Sequence, residues 1–111
     1  MSGYDLMLTL QGKVELLDKA VCALGNRGRT YAQAEHDYKV ALAEKMLLER
    51  DNGLPVTIIR DICMGDRAIA KKRFERDVSE AAYKAALEAI NSYKLQIRVL
   101  ENQIQREWTS D

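Results

Sequence analysis

The chain has 111 residues, of which 47% are apolar and 31% are charged, a length and composition typical of one small ordered domain. Basic and acidic residues number 17 each, which excludes a whole-molecule field that would attract DNA or an anionic membrane. Ala, Leu, Glu, Lys and Arg dominate, and these residues favour helix over strand.

The remaining bulk features point to a reducing cytoplasm. No apolar run approaches the roughly 18–20 residues that a membrane-spanning helix needs. The N-terminal stretch MSGYDLMLTL has no Lys or Arg ahead of its apolar residues, so we expect no signal peptide. Cys22 and Cys63 form no CxxC pair and are far apart in sequence. We expect both to be buried small hydrophobes rather than a disulfide.

Residues 4–51 are predicted to form a first helical arm. From Leu10 the apolar residues recur at alternating steps of four and three, the spacing of an amphipathic helix or coiled coil. The stretch GNRGR at 25–29 places two glycines in this pattern, and Thr30 begins TYAQ, which fits a capping box. We expect one helix to stop near Leu24 and another to start near Thr30, with a kinked but continuous helix as the alternative.

Residues 52–65 are predicted to form a tip between two arms. Asn52-Gly53 supplies the left-handed residue that commonly closes a helix, and Pro55 prevents Leu54 from continuing it. Thr57 is then expected to cap a short helix that runs to Met64 and ends at Gly65. Its apolar residues would plug the end of a helical hairpin.

Residues 66–108 are predicted to form the second arm, a long helix capped by Asp66. At 1.5 Å per residue, a helix of about 43 residues is roughly 65 Å long. The fold class is therefore all-α, an antiparallel, coiled-coil-like hairpin that makes residues 1–111 one helical domain. Two helices alone give a thin core, so we expect a homodimer or higher oligomer.

The tip has two further interpretations. IIRDIC and DRAIAKKRF resemble the two helices of a helix-turn-helix, although the turn at Met64-Gly65 comes early for that motif and the second helix is too long. In the other interpretation the tip is an exposed apolar patch that a partner protein recognises. The residues of that patch would be Leu54, Val56, Ile58 and Ile59.

A resemblance rests on the stretch GLPVTIIRDICMGDRAIAKKRFERDVSEAAYKAALEAI. It resembles a segment of small helical proteins encoded in phages and prophages of Gram-positive bacteria, and it covers about the C-terminal two-thirds of the chain. The residues that carry the resemblance are Gly53, Pro55, Val56, Thr57, Asp61, Gly65, Ala70, Arg73, Asp77, Tyr83 and Lys84. Those proteins are largely of unassigned activity, so the resemblance implies a bacterial host cytoplasm and no catalytic residue.

Sequence motifs of catalysis are missing. The chain has no P-loop, GxGxxG, GxSxG or HExxH. His36, the one histidine, has no cysteine nearby to make metal-ligand spacing, so we expect a surface or seam residue. GNRGR could hold an anion at the start of a helix but is more simply a connector. We expect no cofactor and no metal.

The basic run of the second arm has two interpretations. Cross-helix pairing with the acidic residues of the first arm explains it structurally, and Arg67 would then approach Glu49. Contact with nucleic acid explains it functionally. The residues concerned are Arg60, Arg67, Lys71, Lys72, Arg73 and Arg76. Whether these cations face solvent or pair with the acidic arm discriminates between the two.

The sequence therefore favours a non-enzymatic, oligomeric interaction protein, a phage accessory factor that binds a host or phage protein. Two features of the sequence favour this function, the absence of catalytic motifs and the long helical surface. The alternative is a nucleic-acid-binding protein that uses the basic segment 60–76. We expect a homo-oligomer with a protein partner and no membrane association.

Overall fold

A computed structural model describes residues 2–109, and every regular element in that range is a helix. Helix α1 spans Gly3–Asp51, α2 spans Val56–Met64 and α3 spans Arg67–Thr109. The predicted all-α class is confirmed. Over the described range, no helix combines the length and the apolarity needed to cross a membrane.

Helix α1 passes through 25–29 without interruption. The prediction that one helix stops near Leu24 and another starts near Thr30 is wrong, because α1 is continuous across this stretch. Thr30 consequently lies within α1 and caps no helix, and GNRGR offers no free helix N-terminus to an anion. The glycines at this point cost helix stability, about 1 kcal/mol each relative to alanine.

Packing against α3 explains what these residues do instead. Gly28 faces the Tyr83 ring so closely that an added Cβ would lie 3.4 Å from Tyr83 Cε2. Tyr31, almost one turn further along, places its ring centroid 6.0 Å from that of Tyr83. Arg27 donates from Nη1 to the Ala82 carbonyl at 3.2 Å. A small residue at position 28 therefore admits an aromatic ring from the neighbouring helix.

The turn after α1 follows the predicted glycine chemistry. Gly53 has φ +93°, in the left-handed region that favours glycine. The N–H of Leu54 donates to the Glu49 carbonyl at 3.0 Å, and that of Gly53 donates to the Arg50 carbonyl at 3.0 Å. These bonds satisfy carbonyls that the end of a helix leaves unpaired.

Helix α2 starts earlier than predicted. Pro55 occupies the N-cap with φ −60° and without a side-chain cap, and its carbonyl accepts the N–H of Ile58 at 3.2 Å. Thr57 lies inside the first turn, so its predicted role as the cap is wrong. Pro55 itself has ψ 138° and lies outside the helix, so the first helical residue is Val56. Gly65 ends α2 as predicted, with its N–H bonded to the Asp61 and Ile62 carbonyls.

Asp66 caps α3 as predicted. Its Oδ2 accepts the backbone N–H groups of Ala68 and Ile69 at 3.1 and 3.3 Å. A carboxylate at this position satisfies orphan donors and interacts favourably with the helix dipole. The helix that follows is 43 residues long, the length expected from the sequence.

The chain divides into two compact units, one of which is Arg27–Tyr83. Its core takes residues from all three helices and is formed by Tyr38, Leu42, Ile59, Cys63 and Ile69. Fully burying a large apolar side chain contributes about 1.5–3 kcal/mol, so this cluster holds α2 onto α1 and α3. Cys63 is buried as predicted, whereas Cys22, predicted to be buried, is exposed.

The other unit comprises Met1–Asn26 and Lys84–Asp111. Its most buried apolar residues are Leu6 of α1 and Ala86 and Ile90 of α3. A shallow apolar groove of about 360 Å³ lies between residues of both helices, which are Thr9, Lys13, Leu95, Gln96, Val99 and Leu100. Helices α1 and α3 therefore pack together in this unit as well.

Two glycines should respond oppositely to the same substitution. Gly12 lies in α1 with no atom near an added Cβ, so Gly12→Ala should raise the free energy of unfolding by about 1 kcal/mol. Gly53 also has open space, but its φ of +93° strains any other residue, so Gly53→Ala should lower it by about 1 kcal/mol. Denaturant unfolding of both variants measures the difference, and equal signs would contradict it.

Candidate protein-interaction site

Helix α2 has an exposed apolar edge beside its buried face. Ile59 and Cys63 form the buried face, and Ile58 and Ile62 follow one turn apart along one side of it. Ile58 is 43% exposed and Val56 is 72% exposed. Among the predicted partner residues, these two are therefore available to a partner.

The other two predicted partner residues belong to the interior. Ile59 is only 5% exposed and packs in the core cluster. The prediction that it contacts a partner is therefore wrong. Leu54 is half-buried and packs against the same cluster. We name the exposed residues Val56, Ile58 and Ile62 the apolar tip.

The basic residues of 60–76 are mostly without an acidic partner. Arg60, Arg67 and Lys71 are exposed, whereas Lys72, Arg73 and Arg76 are half-buried. Within residues 2–109, no ion pair joins Arg60, Arg67, Lys71 or Arg73 to a carboxylate. Lys72 is close enough to Asp37 to help lower the pKa of that carboxyl.

The expected neutralisation by the acidic residues of α1 is therefore largely absent. Glu49, the predicted partner of Arg67, pairs with Lys45 of its own helix at 3.2 Å. This pair raises the pKa of Lys45, mainly through the hydrogen bond to Glu49. Glu35 likewise pairs with Lys39 at 3.4 Å. Residues four apart face each other on one helix. Two of the acidic residues of α1 are therefore paired with lysines of α1 itself and not with the basic residues of α3.

Arg76 is the basic residue that is most firmly held. Its Nη2 and Nε donate to Asp77 Oδ1 at 2.8 and 3.0 Å, and this bonding raises the pKa of the guanidinium. Its Cζ lies 4.7 Å from the centre of the Tyr38 ring, a cation–π geometry. Arg76 is consequently a packing residue between α1 and α3 and is less available to a ligand than Arg60 or Arg73.

His36 is a surface residue, as predicted. Its Nδ1 lies 3.2 Å from Asp37 Oδ1, and its side chain is largely exposed. Gln33 Nε2 donates to the same Asp37 oxygen at 2.8 Å, and these bonds, that of Gln33 first, lower the pKa of Asp37. Because folding lowers this pKa, the associated stabilisation is present at neutral pH and is lost as the pH falls through the folded-state value.

A groove of about 430 Å³ collects several of these basic residues in the unit Arg27–Tyr83. It is lined from α1, α2 and α3 by Tyr38, Lys39, Leu42, Ala43, Met46, Arg60, Met64, Arg73 and Arg76. Four of these nine residues are cationic and none is acidic. The remaining five supply an apolar floor, and we name this feature the basic groove.

Sequence reasoning identified the arginines of the basic groove but not its floor. Lys39, Leu42, Ala43 and Met46 are spaced three and four residues apart, so they share one face of α1. That spacing could have been recognised in the sequence as one face of a helix. Arg60 and Met64 lie on the edge of α2 opposite Ile58 and Ile62, and only the packing of α2 shows that they meet α1.

The basic groove is lined by cationic and apolar side chains. Within residues 2–109, no cluster of His, Cys, Asp and Glu has the arrangement of a metal site. GNRGR does not contribute to this groove, and its Arg27 donates a hydrogen bond to the Ala82 carbonyl instead.

Comparisons of the chain with protein-family models, with curated proteins and with solved structures find no match.

Proposed function

We propose that this chain is a non-enzymatic helical interaction protein that binds another protein. The observation that carries the proposal is the apolar tip, where α2 leaves Ile58 and Ile62 exposed on one side of its buried face and Val56 exposed in its first turn. Exposed apolar side chains grouped on one short helix are typical of interaction surfaces. With the resemblance described above, the proposed role is that of a phage accessory factor that binds a host or phage protein in the bacterial cytoplasm.

The proposed architecture is an antiparallel, coiled-coil-like hairpin of α1 and α3 closed by α2. In the unit Arg27–Tyr83, the contact of Tyr38 with Arg76 and that of Arg27 with Ala82 support antiparallel packing. In the other unit, α1 and α3 line one groove together, through Thr9, Lys13, Leu95, Gln96, Val99 and Leu100. Such an arrangement would hold the apolar tip at the closed end.

The proposed state is a homodimer or higher oligomer, and its support is the outer face of α3. Phe74 is 67% exposed and Val78 is 52% exposed, and Ala81 follows three residues later, also exposed. Phe74 and Val78 stand two residues on either side of Arg76, so they point away from the face that holds Arg76 against Tyr38. Spacing of four and three residues with a small residue suits a second helix.

The proposed function is tested by capture from a Gram-positive bacterial lysate, with and without nuclease, using the tagged full chain. We expect a stoichiometric protein band that survives nuclease treatment. The double variant Val56→Ser, Ile58→Ser should lose this band, because it removes two of the three apolar side chains of the apolar tip. Val21→Ser is the matched control, since Val21 is an exposed valine of α1 in the other unit, and it should retain the band. A chain that captures no protein would refute the proposal.

Nucleic-acid binding is the second candidate, and the unpaired cations favour it. Arg60, Arg67 and Lys71 are exposed and form no ion pair in the described chain. Recovery of nucleic acid, with protein bands lost on nuclease treatment, would support this candidate. It would be refuted if the triple variant Lys71→Ala, Lys72→Ala, Arg73→Ala left binding to duplex and single strands unchanged.

A further inference from the structure

We infer that the basic groove binds a short acidic segment of the partner protein, in which an apolar side chain is flanked by carboxylates. The inference rests on the proposed function and names the chemistry of its partner. The apolar side chain would occupy the floor of the groove. The carboxylates would pair with Arg60 and Arg73 at its border.

The floor of the basic groove suits an apolar anchor. Tyr38 and Leu42 are buried beneath it, and Met46 and Met64 are half-buried at its sides. Methionine side chains adapt their shape to what packs on them. The volume of about 430 Å³ lies within the roughly 300–1,000 Å³ of ligand pockets, so the groove has room for an anchoring side chain and its flanking residues.

The border of the groove calls for negative charge. Arg73 is half-buried, and no ion pair satisfies its guanidinium within residues 2–109. A partly desolvated, unpaired charge destabilises the protein, and an anionic ligand would offset that cost. Arg60 reaches the same groove from α2 without an ion pair of its own. The other two cations of the groove are already paired, Lys39 with Glu35 and Arg76 with Asp77.

The same features favour a peptide over a nucleic acid at this site. Arginine presents a planar fork that bonds a carboxylate with two parallel hydrogen bonds. A single-stranded nucleic acid would need aromatic faces on which its bases stack, but Tyr38, the aromatic residue of the groove, is buried and covered by Arg76. An apolar floor with a cationic border matches an acidic, partly apolar segment.

The test is a selection of peptides from an unbiased display library on the immobilised full chain. We expect enrichment of peptides that combine Leu, Met or Phe with neighbouring Asp or Glu. The most enriched peptide is then synthesised with a fluorescent label and titrated by anisotropy. The double variant Arg60→Ala, Arg73→Ala should weaken its binding by about tenfold or more, as loss of desolvated charge pairs does.

The matched control removes the same charge outside the groove. Arg67 and Lys71 are exposed and do not line it, so Arg67→Ala, Lys71→Ala should change the affinity by less than about threefold, as expected of charges at a distance. Arg60→Ala alone, at an exposed position of α2, provides a second groove variant if the double variant is misfolded by circular dichroism. It should also weaken binding.

Three results would overturn the inference: no enrichment of acidic peptides, equal binding by the groove variants, or equal weakening by the control. Failure here is distinguishable from failure of the proposed function. A captured protein that depends on Val56 and Ile58 but not on Arg60 and Arg73 would leave the function standing and refute the basic groove as its site. Capture of nucleic acid alone would refute the function itself.

Discussion

Ile59→Ala should lower the free energy of unfolding by about 2–5 kcal/mol, the range for removing most of a buried aliphatic side chain. Ile59 is 5% exposed and places α2 in the core cluster with Tyr38 and Leu42 of α1 and Ile69 of α3. Truncation at this position removes apolar contacts and leaves a cavity where three helices meet. For a domain of this size, whose total stability is about 5–15 kcal/mol, that loss removes a large part of the free energy that keeps the chain folded.

The matched control for Ile59→Ala is the neighbouring residue. Ile58→Ala makes the same chemical change at a position that is 43% exposed, so it should shift the free energy by no more than about 0.5 kcal/mol. Urea unfolding followed by circular dichroism measures both variants, at one protein concentration because an oligomer makes stability concentration-dependent. Equal losses would contradict the assignment of one isoleucine to the core and the other to the apolar tip.

The two substitutions should also separate stability from function. Ile58→Ala is expected to weaken capture of the partner protein while the helical content and the unfolding midpoint stay near those of the unmodified chain. Ile59→Ala is expected to reduce capture only to the extent that it reduces the folded fraction. Capture measured under conditions where both variants are folded therefore distinguishes a contact residue from a packing residue.

Val78→Glu should dissociate the proposed oligomer. A carboxylate on the outer face of α3 would be buried without a partner in a self-interface built on Phe74 and Val78, and such burial costs about 2 kcal/mol or more. That is a weakening of roughly thirtyfold in the dissociation constant. Sedimentation over a range of concentrations should show the variant at the monomer mass of 12.6 kDa where the unmodified chain is still associated.

The control for Val78→Glu is a second exposed valine on the other long helix. Val40 of α1 is 41% exposed, and Val40→Glu introduces the same charge away from the outer face of α3. We expect it to leave the oligomer intact. An unmodified chain that is monomeric and melts cooperatively at low concentration would refute the oligomer, and dissociation by both variants would refute its placement on α3.

Much of the fold was predictable because it depends on local chemistry. The left-handed Gly53 and the capping Asp66 were identified from residue type and position, and both occupy those roles. The length of α3 followed from a pattern of apolar residues that no glycine or proline interrupts. In each case the deciding interactions lie within one or two helical turns of sequence, where residue preferences apply directly.

The local rule failed where a distant residue decides the outcome. GNRGR contains two glycines and was predicted to break α1, but the ring of Tyr83 packs on Gly28 and Arg27 bonds the Ala82 carbonyl. These partners lie more than fifty residues away in sequence. Tertiary packing of this kind can offset the roughly 1 kcal/mol that a glycine costs in a helix.

The sequence by itself determined that this protein is helical, where the chain turns between its helices and which residues are basic. Only the tertiary structure decided that Ile59 is core and Ile58 surface, because α2 is apolar on more than one side and its nine residues suit several orientations. It also decided that Arg60, Arg73 and Met46, one from each helix, border one groove. Such a juxtaposition depends on how the helices pack, which no single helix encodes.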